Sequence, residues 1–119
     1  MFISDYLLSS MPANGLLFMD NVIDAVPNLS IISQIELLCW KTDATMEQQI
    51  KNFIADSVIF NITPNIITHC VEIRRNKRTK TPDAIIAATA LAHDLILITG
   101  NERDFVHISR LTIINPFTS

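Results

Sequence analysis

The sequence predicts an α/β fold in which helices cover a parallel sheet on both faces. Short, continuously apolar and β-branched runs alternate with longer segments whose apolar residues recur at helical spacing. Strands that are buried on both faces of a parallel sheet show this kind of uninterrupted apolar run. The 119 residues suit one domain, so residues 1–119 are expected to fold as a single unit.

In the first half of the chain, prolines and β-branched residues mark the element boundaries. Pro12 ends the first helical pattern and Pro27 ends the second, because proline cannot continue a helix. The predicted elements are helices over 2–11 and 16–25, a strand over 29–32, helices over 33–41 and 44–56, and a strand over 57–62.

In the second half, prolines open the helices instead of ending them. Pro64 and Pro82 each stand at the first turn of a helical pattern, where a missing N–H is tolerated. The second of these helices is rich in alanine, which allows a neighbouring backbone to approach closely. The predicted elements are helices over 64–75 and 82–92, a strand over 95–99 buried on both faces, a helical turn over 102–106 and a strand over 111–114.

Composition and charge exclude several classes of protein. Hydrophobic residues make up 49% of the chain and glycine occurs twice, which favours a packed globular chain over a disordered one. Charged or amide residues interrupt every long apolar stretch, so no membrane span is predicted, and no secretory signal is visible. Cys39 and Cys70 lack metal-ligand spacing, and this is typical of reduced thiols in a cytoplasm.

Basic residues are concentrated in one segment of an otherwise acidic chain. The net charge is -3, yet five of the nine basic residues fall within residues 74–80. Such a patch can hold RNA phosphates, but it is equally expected as the solvated end of a helix. Both interpretations remain open on the sequence alone.

Oxygen-bearing side chains follow the ends of the predicted strands. Glu36 comes after strand 29–32, Asp83 lies in the first turn of helix 82–92, and Asn101 and Asp104 follow strand 95–99. Ligands of open parallel sheets bind at the carboxyl ends of the strands, where such residues meet. Carboxylates without nearby histidine or cysteine suit Mg²⁺ or Mn²⁺, which can activate water against a phosphodiester.

The same acids have a second interpretation as helix-capping residues. A hydroxyl or amide before the first turn and an acid within it would stabilise a helix start without any further function. In this interpretation the capping residues are Ser33, Thr81 and Asn101, and the acids they accompany are Glu36, Asp83 and Asp104. The residues themselves do not decide between a cation site and helix caps.

Four segments, in order along the chain, resemble the PIN domain family, to which the VapC toxins belong. Residues 81–90, TPDAIIAATA, are similar to the family's PDAxIAATA signature, and residues 97–105, LITGNERDF, to its TxNxxDF segment. Residues 113–117 resemble the NPF ending of VapC-like toxins, and residues 31–38 resemble the corner that carries the family's glutamate. One such match is a weak signal, whereas four in the same order are a strong one.

The resemblance implies an Mg²⁺- or Mn²⁺-dependent endoribonuclease toxin of a type II toxin–antitoxin system. Glu36, Asp83 and Asp104 would be catalytic, and Asn101 would join them as a metal ligand. The residues implied in contacts with RNA phosphates, or with the antitoxin, are Arg74, Arg75, Lys77 and Arg78. The implied partners are an RNA substrate, a cognate antitoxin and a second copy of the chain in a homodimer.

One part of the family pattern is absent. The family opens with an apolar central strand that ends in Asp-Thr-Asn, whereas residues 1–7 of this chain resemble the helix that follows that motif. Without this strand, two neighbouring strands are expected to lack hydrogen-bond partners. Nuclease activity is then expected to be weak or absent, so the alternative function is an inactive PIN-fold protein that acts through dimerisation or antitoxin binding. A nucleotide-binding or receiver-like domain is disfavoured, because two glycines provide no phosphate loop.

Overall fold

The structure, a computed structural model, describes residues 13–118, and the helix predicted over residues 2–11 lies outside them. Five α-helices and four strands alternate along this part of the chain, which confirms the α/β class. The helices are α1 (Ala13–Asp24), α2 (Ile31–Cys39), α3 (Ala44–Ala55), α4 (Pro64–Asn76) and α5 (Thr81–Ala92). The strands are β1 (Asn28–Ser30), β2 (Val58–Phe60), β3 (Leu97–Ile98) and β4 (Ile113–Ile114), and a 3₁₀ helix spans Glu102–Asp104.

Helix α2 begins two residues earlier than predicted, because Ser30 caps it. The Ser30 Oγ accepts a hydrogen bond from the backbone N–H of Ile32 at 3.1 Å, which satisfies a free donor of the first turn. Residues 31 and 32 are therefore helical and not part of the strand. The interpretation of Ser33 and Glu36 as a capping box is wrong, since both lie within the helix.

The strands form two separate parallel pairs. In the first pair Leu29 lies opposite Ile59, and in the second Leu97 lies opposite Ile113. Within residues 13–118 no strand joins the two pairs into one sheet. The parallel arrangement is as predicted.

The strands are also shorter than predicted, and β3 is not buried on both faces. It covers residues 97–98 instead of 95–99, and Ile96 beside it is 53% exposed. The apolar run identified the strand correctly, but a ladder forms only where a partner strand is present. Here the partner β4 covers residues 113–114 alone.

Two hydrophobic clusters stabilise the described part of the chain. The first gathers Met19, Leu29, Leu37 and Ile50 from α1, β1, α2 and α3. The second lies where α4 packs against α5, and Ala84, Ala87 and Ala88 are 0% exposed there. The alanines allow the two helix backbones to approach closely, as predicted. The buried members of this second cluster are Ile66, Ile73, Ala84, Ala87, Ala88, Phe105 and Ile108.

Helices α3 and α4 each begin at a residue whose side chain caps the first turn, whereas α5 does not. Asp43 caps α3 and Thr63 caps α4, each through its side-chain oxygen. At α5 the N-cap is Lys80, without a side-chain bond, and Thr81 is the first helical residue. The interpretation of Thr81 as the cap is therefore wrong. No helix among residues 13–118 is long and apolar enough to cross a bilayer.

Candidate metal and nucleic-acid site

Asp83 lies in the first turn of α5, as predicted, and is half-buried. The turn is closed by a backbone bond of 2.9 Å from the N–H of Ala84 to the carbonyl of Lys80. Since Ala84 is fully buried against α4, the turn that carries Asp83 is held firmly in place. An acid in this position is favoured by the positive end of the helix dipole.

Asn101 and Asp104 lie in the loop that follows β3. The Nδ2 of Asn101 donates a hydrogen bond to Oδ2 of Asp104 at 2.5 Å, and the N–H of Asn101 donates to Oγ1 of Thr99 at 3.0 Å. Asn101 precedes the 3₁₀ helix but makes no side-chain cap bond there. Its side chain therefore orients the Asp104 carboxylate and does not cap the turn. The interpretation of Asn101 as a helix cap is wrong.

The structure brings Asp83 and Asp104 within each other's electrostatic field. Partial burial raises the pKa of Asp83 above its ordinary value of 3.8, and the negative charge of Asp104 raises it further. The positive charge of Lys80 acts in the opposite direction and lowers this pKa. A pair of carboxylates that repel each other in a partly desolvated position is typical of a functional site.

Glu36 is placed differently. It is exposed on α2, whose buried residues are Ser33 and Leu37. Among the described residues, the charges that shift the pKa of Asp83 belong to Asp104 and Lys80, and Glu36 is not one of them. No group of three or more His, Cys, Asp or Glu side chains in the described part of the chain is arranged to hold a metal ion. The catalytic role of Glu36 stays a prediction.

The chemistry of the paired residues fits a hard divalent cation. Asp83 and Asp104 offer carboxylate oxygens, and the Asn101 carboxamide offers its oxygen while its nitrogen is engaged by Asp104. Mg²⁺ and Mn²⁺ prefer such ligands, and Mg²⁺ commonly binds through one or two carboxylates with water completing the shell. A cation between the two carboxylates would relieve the repulsion that raises the pKa of Asp83.

The basic segment, residues 74–80, runs from the end of α4 to the start of α5. Arg74 and Arg75 occupy the last turn of α4, where cations are favoured by the helix dipole, and Lys77 follows the helix. All the basic residues of the segment are exposed, and none forms a salt bridge with a described residue. Their charges are thus available to a phosphate backbone.

One threonine anchors this segment to the body of the protein. Thr79 is buried, and its Oγ1 lies 2.8 Å from Nε2 of His107. The Thr79 carbonyl also accepts a bond of 3.0 Å from Nε of Arg74. Sequence reasoning missed both interactions. A single threonine within a run of basic residues was the available signal, because a short polar residue there is easily buried.

Lys80 connects the basic segment to the acidic pair. It is the last residue before α5, and its charge acts directly on Asp83. The basic segment therefore ends beside the carboxylates, so that a phosphate held by the segment would lie near an acid-bound cation. This juxtaposition was expected from the sequence order alone.

The fold and the site together define an α/β domain of parallel strands with paired acids beside the first turn of an alanine-rich helix. Residues 29–111 match the model of the PIN domain. The chain belongs to the PIN domain family. No curated protein matches the chain.

Several solved structures have a similar fold. A chain of a toxin–antitoxin complex from Klebsiella pneumoniae is 29% identical with a TM-score of 0.73, and the match covers 98% of this chain and 92% of that one. A DNA-bound VapBC from Salmonella typhimurium has a TM-score of 0.73 at 19% identity, covering 96% and 91% of the two chains. VapBC-1 from nontypeable Haemophilus influenzae has a TM-score of 0.71 at 20% identity, covering 96% and 92%.

Proposed function

We propose that the chain is the toxin of a type II toxin–antitoxin system and a metal-dependent endoribonuclease, folded as a single domain. The observation that carries this proposal is that the charge of Asp104 acts on the partly buried Asp83 carboxylate beside the basic segment. The likeness to a chain of a toxin–antitoxin complex from Klebsiella pneumoniae at 29% identity supports the biological class.

The proposed roles follow from the placement of each side chain. Asp83 and Asp104 would hold Mg²⁺ or Mn²⁺, with Asn101 keeping the Asp104 carboxylate in position. When bound, such a cation supplies Lewis acidity and an activated water for phosphodiester cleavage. Glu36 would approach from α2, which packs against α5, and hold metal or water.

The basic segment supplies the attraction for RNA. Arg75, Lys77 and Arg78 are exposed and form no salt bridge with a described residue. Electrostatic attraction of this kind provides most of the sequence-independent affinity for nucleic acid. Arg74 would contribute charge while its Nε holds the Thr79 carbonyl. The same groups would contact the antitoxin in the complex.

The proposed setting is a homodimer in the cytoplasm, bound to a cognate antitoxin. Cys39 and Cys70 form no disulfide in the described part of the chain, as is usual for a reducing compartment. The similar structures from Salmonella typhimurium and Haemophilus influenzae are VapBC assemblies, which supports a protein partner.

Variants of the paired acids test the proposal. Mn²⁺ binding is measured by calorimetry, and cleavage is measured on a fluorescent single-stranded RNA. Asp83→Asn and Asp104→Asn should each lose both Mn²⁺ binding and RNA cleavage. Glu102→Gln, an exposed acid in the same 3₁₀ helix as Asp104, is the matched control and should keep them. Unchanged Mn²⁺ affinity in Asp83→Asn would show that the site is wrongly assigned.

A second candidate is a PIN-fold protein without catalysis that works through dimerisation or antitoxin binding. The observation that favours it is that no group of three or more potential metal-binding side chains forms among residues 13–118. A wild-type chain that binds an antitoxin but neither retains Mn²⁺ nor cleaves RNA would support this candidate over the nuclease.

A further inference from the structure

A polar pocket of about 280 Å³, the α4 pocket, lies between α4 and the loop that joins the 3₁₀ helix to β4. Its first wall is one face of α4, from which His69, Glu72 and Asn76 line the pocket at helical spacing. Its second wall is the loop, which contributes His107 and Arg110. Sites for small molecules begin at about 300 Å³, so this volume suits a group the size of a nucleobase.

The polar side chains at the α4 pocket are not engaged with the rest of the described chain. The Glu72 carboxylate and the Arg110 guanidinium are exposed, and neither forms a hydrogen bond or a salt bridge with a described residue. The side chains of His69 and Asn76 also make no hydrogen bond within residues 13–118. Because a charged acceptor and a charged donor are both free, the pocket can bind a ligand that carries N–H donors and a negative charge.

The pocket also has an apolar part and two flat rings. Ile73 and Ile108 are each 8% exposed and belong to the second hydrophobic cluster. Half-buried imidazole rings stand on the two walls, His69 on α4 and His107 on the loop. RNA-binding proteins stack unpaired bases on flat side chains such as histidine and arginine, and hydrogen-bond the polar edges of these bases. A flat ligand with apolar faces and a polar edge fits this combination.

The α4 pocket adjoins the basic segment. Lys77 belongs to both, and the buried Thr79 holds the segment against the loop through its 2.8 Å contact with Nε2 of His107. The segment ends at Lys80, whose charge acts on Asp83. From Lys77 to Lys80 the backbone spans at most about 11 Å, the length of about three stacked nucleotides. A strand that follows the segment toward the acids can therefore place one base in the pocket.

We propose that the α4 pocket binds an unpaired guanine of the RNA strand that the basic segment holds. Guanine presents two adjacent donors, N1–H and N2–H, which match the two oxygens of the Glu72 carboxylate. Adenine and cytosine present one donor beside a ring-nitrogen acceptor, and uracil presents one donor between two carbonyls, so each would place an acceptor against this carboxylate. Arg110 and Lys77 would contact the neighbouring phosphates. This site rests on the proposed action on RNA, to which it adds a base preference.

Two short oligonucleotides test the inference on the full chain. One is UUUGUUUU and the other is oligouridine of the same length, each labelled with a fluorophore, and binding is measured by anisotropy in EDTA. Without a metal ion, binding depends neither on cation binding by the paired acids nor on cleavage. A bidentate contact of this kind discriminates between bases by about tenfold or more, so the guanine-containing strand should bind more tightly by that factor.

Two substitutions of an acid by its amide provide matched variants of the protein. Glu72→Gln keeps the shape of the side chain but turns one acceptor into a donor, which then faces the guanine donors. It should abolish the preference for the guanine-containing strand without weakening the binding of oligouridine. Glu102→Gln also removes one negative charge from an exposed position, but outside the pocket, and should retain the full preference.

NMR locates the bound base. Guanosine monophosphate should shift the ring signals of His69 and His107, whereas uridine monophosphate should not. Equal affinity of the wild-type chain for the two oligonucleotides, or a preference that survives in Glu72→Gln, would overturn the guanine site while leaving the proposed nuclease in place. Binding of neither oligonucleotide would overturn both. If hexaglutamate, and not guanosine monophosphate, shifts the two ring signals, the pocket binds an acidic protein segment and the inference is wrong.

Discussion

The hydroxyl of Thr79 lies 2.8 Å from Nε2 of His107, and this contact joins the basic segment to the loop that follows the 3₁₀ helix. The Thr79 carbonyl meanwhile accepts from Arg74. One buried residue therefore fixes the end of α4 and the approach to α5, and so positions Lys80 beside Asp83.

Replacing Thr79 with valine keeps its shape but removes the hydroxyl. We expect Thr79→Val to lower the free energy of unfolding by about 1–3 kcal/mol, because the ring nitrogen of His107 loses its partner in a partly buried position. Urea unfolding measures the change. Thr79→Ser keeps the hydroxyl and should recover most of the difference, whereas equal losses in both variants would mean that the methyl group, not the hydrogen bond, is responsible.

The charge of Asp104 should be visible in the titration of Asp83. Burial and the Asp104 carboxylate both raise the pKa of Asp83, so Asp104→Asn is expected to lower it toward its ordinary value while leaving the effect of burial. Carboxyl chemical shifts followed by NMR against pH give the pKa directly. Glu102→Gln should not move it. If the pKa of Asp83 is the same in Asp104→Asn as in the wild-type protein, the proposed pairing of the two acids is contradicted.

The raised pKa also predicts how stability depends on pH. Between pH 3.8 and its raised folded pKa, Asp83 is more protonated in the folded chain than in the unfolded chain, so this residue makes stability fall as pH rises through that range. Asp83→Asn should remove that contribution, and the variant should gain stability relative to wild type as pH increases. Thermal unfolding at a series of pH values provides the comparison, and parallel curves for the two proteins would refute it.

Affinity for RNA should depend on salt through the basic segment. Arg75→Gln and Lys77→Gln are each expected to reduce the slope of log affinity against log salt by about 0.7, the value for one phosphate contact on a single strand. Fluorescence anisotropy at several salt concentrations measures the slope. Lys51→Gln is the control, because its ammonium group already pairs with Glu47 at 3.2 Å. If the salt dependence of affinity is the same in all variants, RNA does not bind at the basic segment.

The contact between α4 and α5 should not tolerate larger side chains. Ala88 is 0% exposed there, so Ala88→Leu is expected to lower the free energy of unfolding by about 1–3 kcal/mol through overpacking. Ala44→Leu, at an exposed position in α3, should change stability little. Urea unfolding compares the two. Similar values would mean that α4 and α5 are less tightly packed than described.

The sequence predicted most of the architecture because its signals were local. Alternating apolar runs indicated parallel strands, and Pro82 with Asp83 indicated the start of α5 within one residue. The cap of α2 was missed because Ser30 and Ser33 are both residue types that cap helices, and Ser33 has a glutamate three residues later. The choice between them depends on where β1 stops, and pairing with β2 sets that point.

The site was predicted less completely, because its contacts join distant parts of the chain. Asp104 acts on Asp83 as expected, but the bond from Asn101 to Asp104 depends on a loop conformation that capping rules do not contain. The sequence did not fix the direction of the Glu36 side chain, because a position shortly after a strand does not decide which face of the following helix a residue occupies. Its proximity to the paired acids therefore stays a prediction.

The separation of the two hydrophobic clusters has a consequence for unfolding. The first is built on α1, α2 and α3, whereas the second is built on α4 and α5, and the strand pairs that could unite them are not joined within residues 13–118. The main helix contact between them joins α2 and α5, so we expect the two clusters to open as separate cooperative units. Native-state hydrogen exchange should then divide the amides into two populations, with those of α4 and α5 surviving longest as denaturant is added.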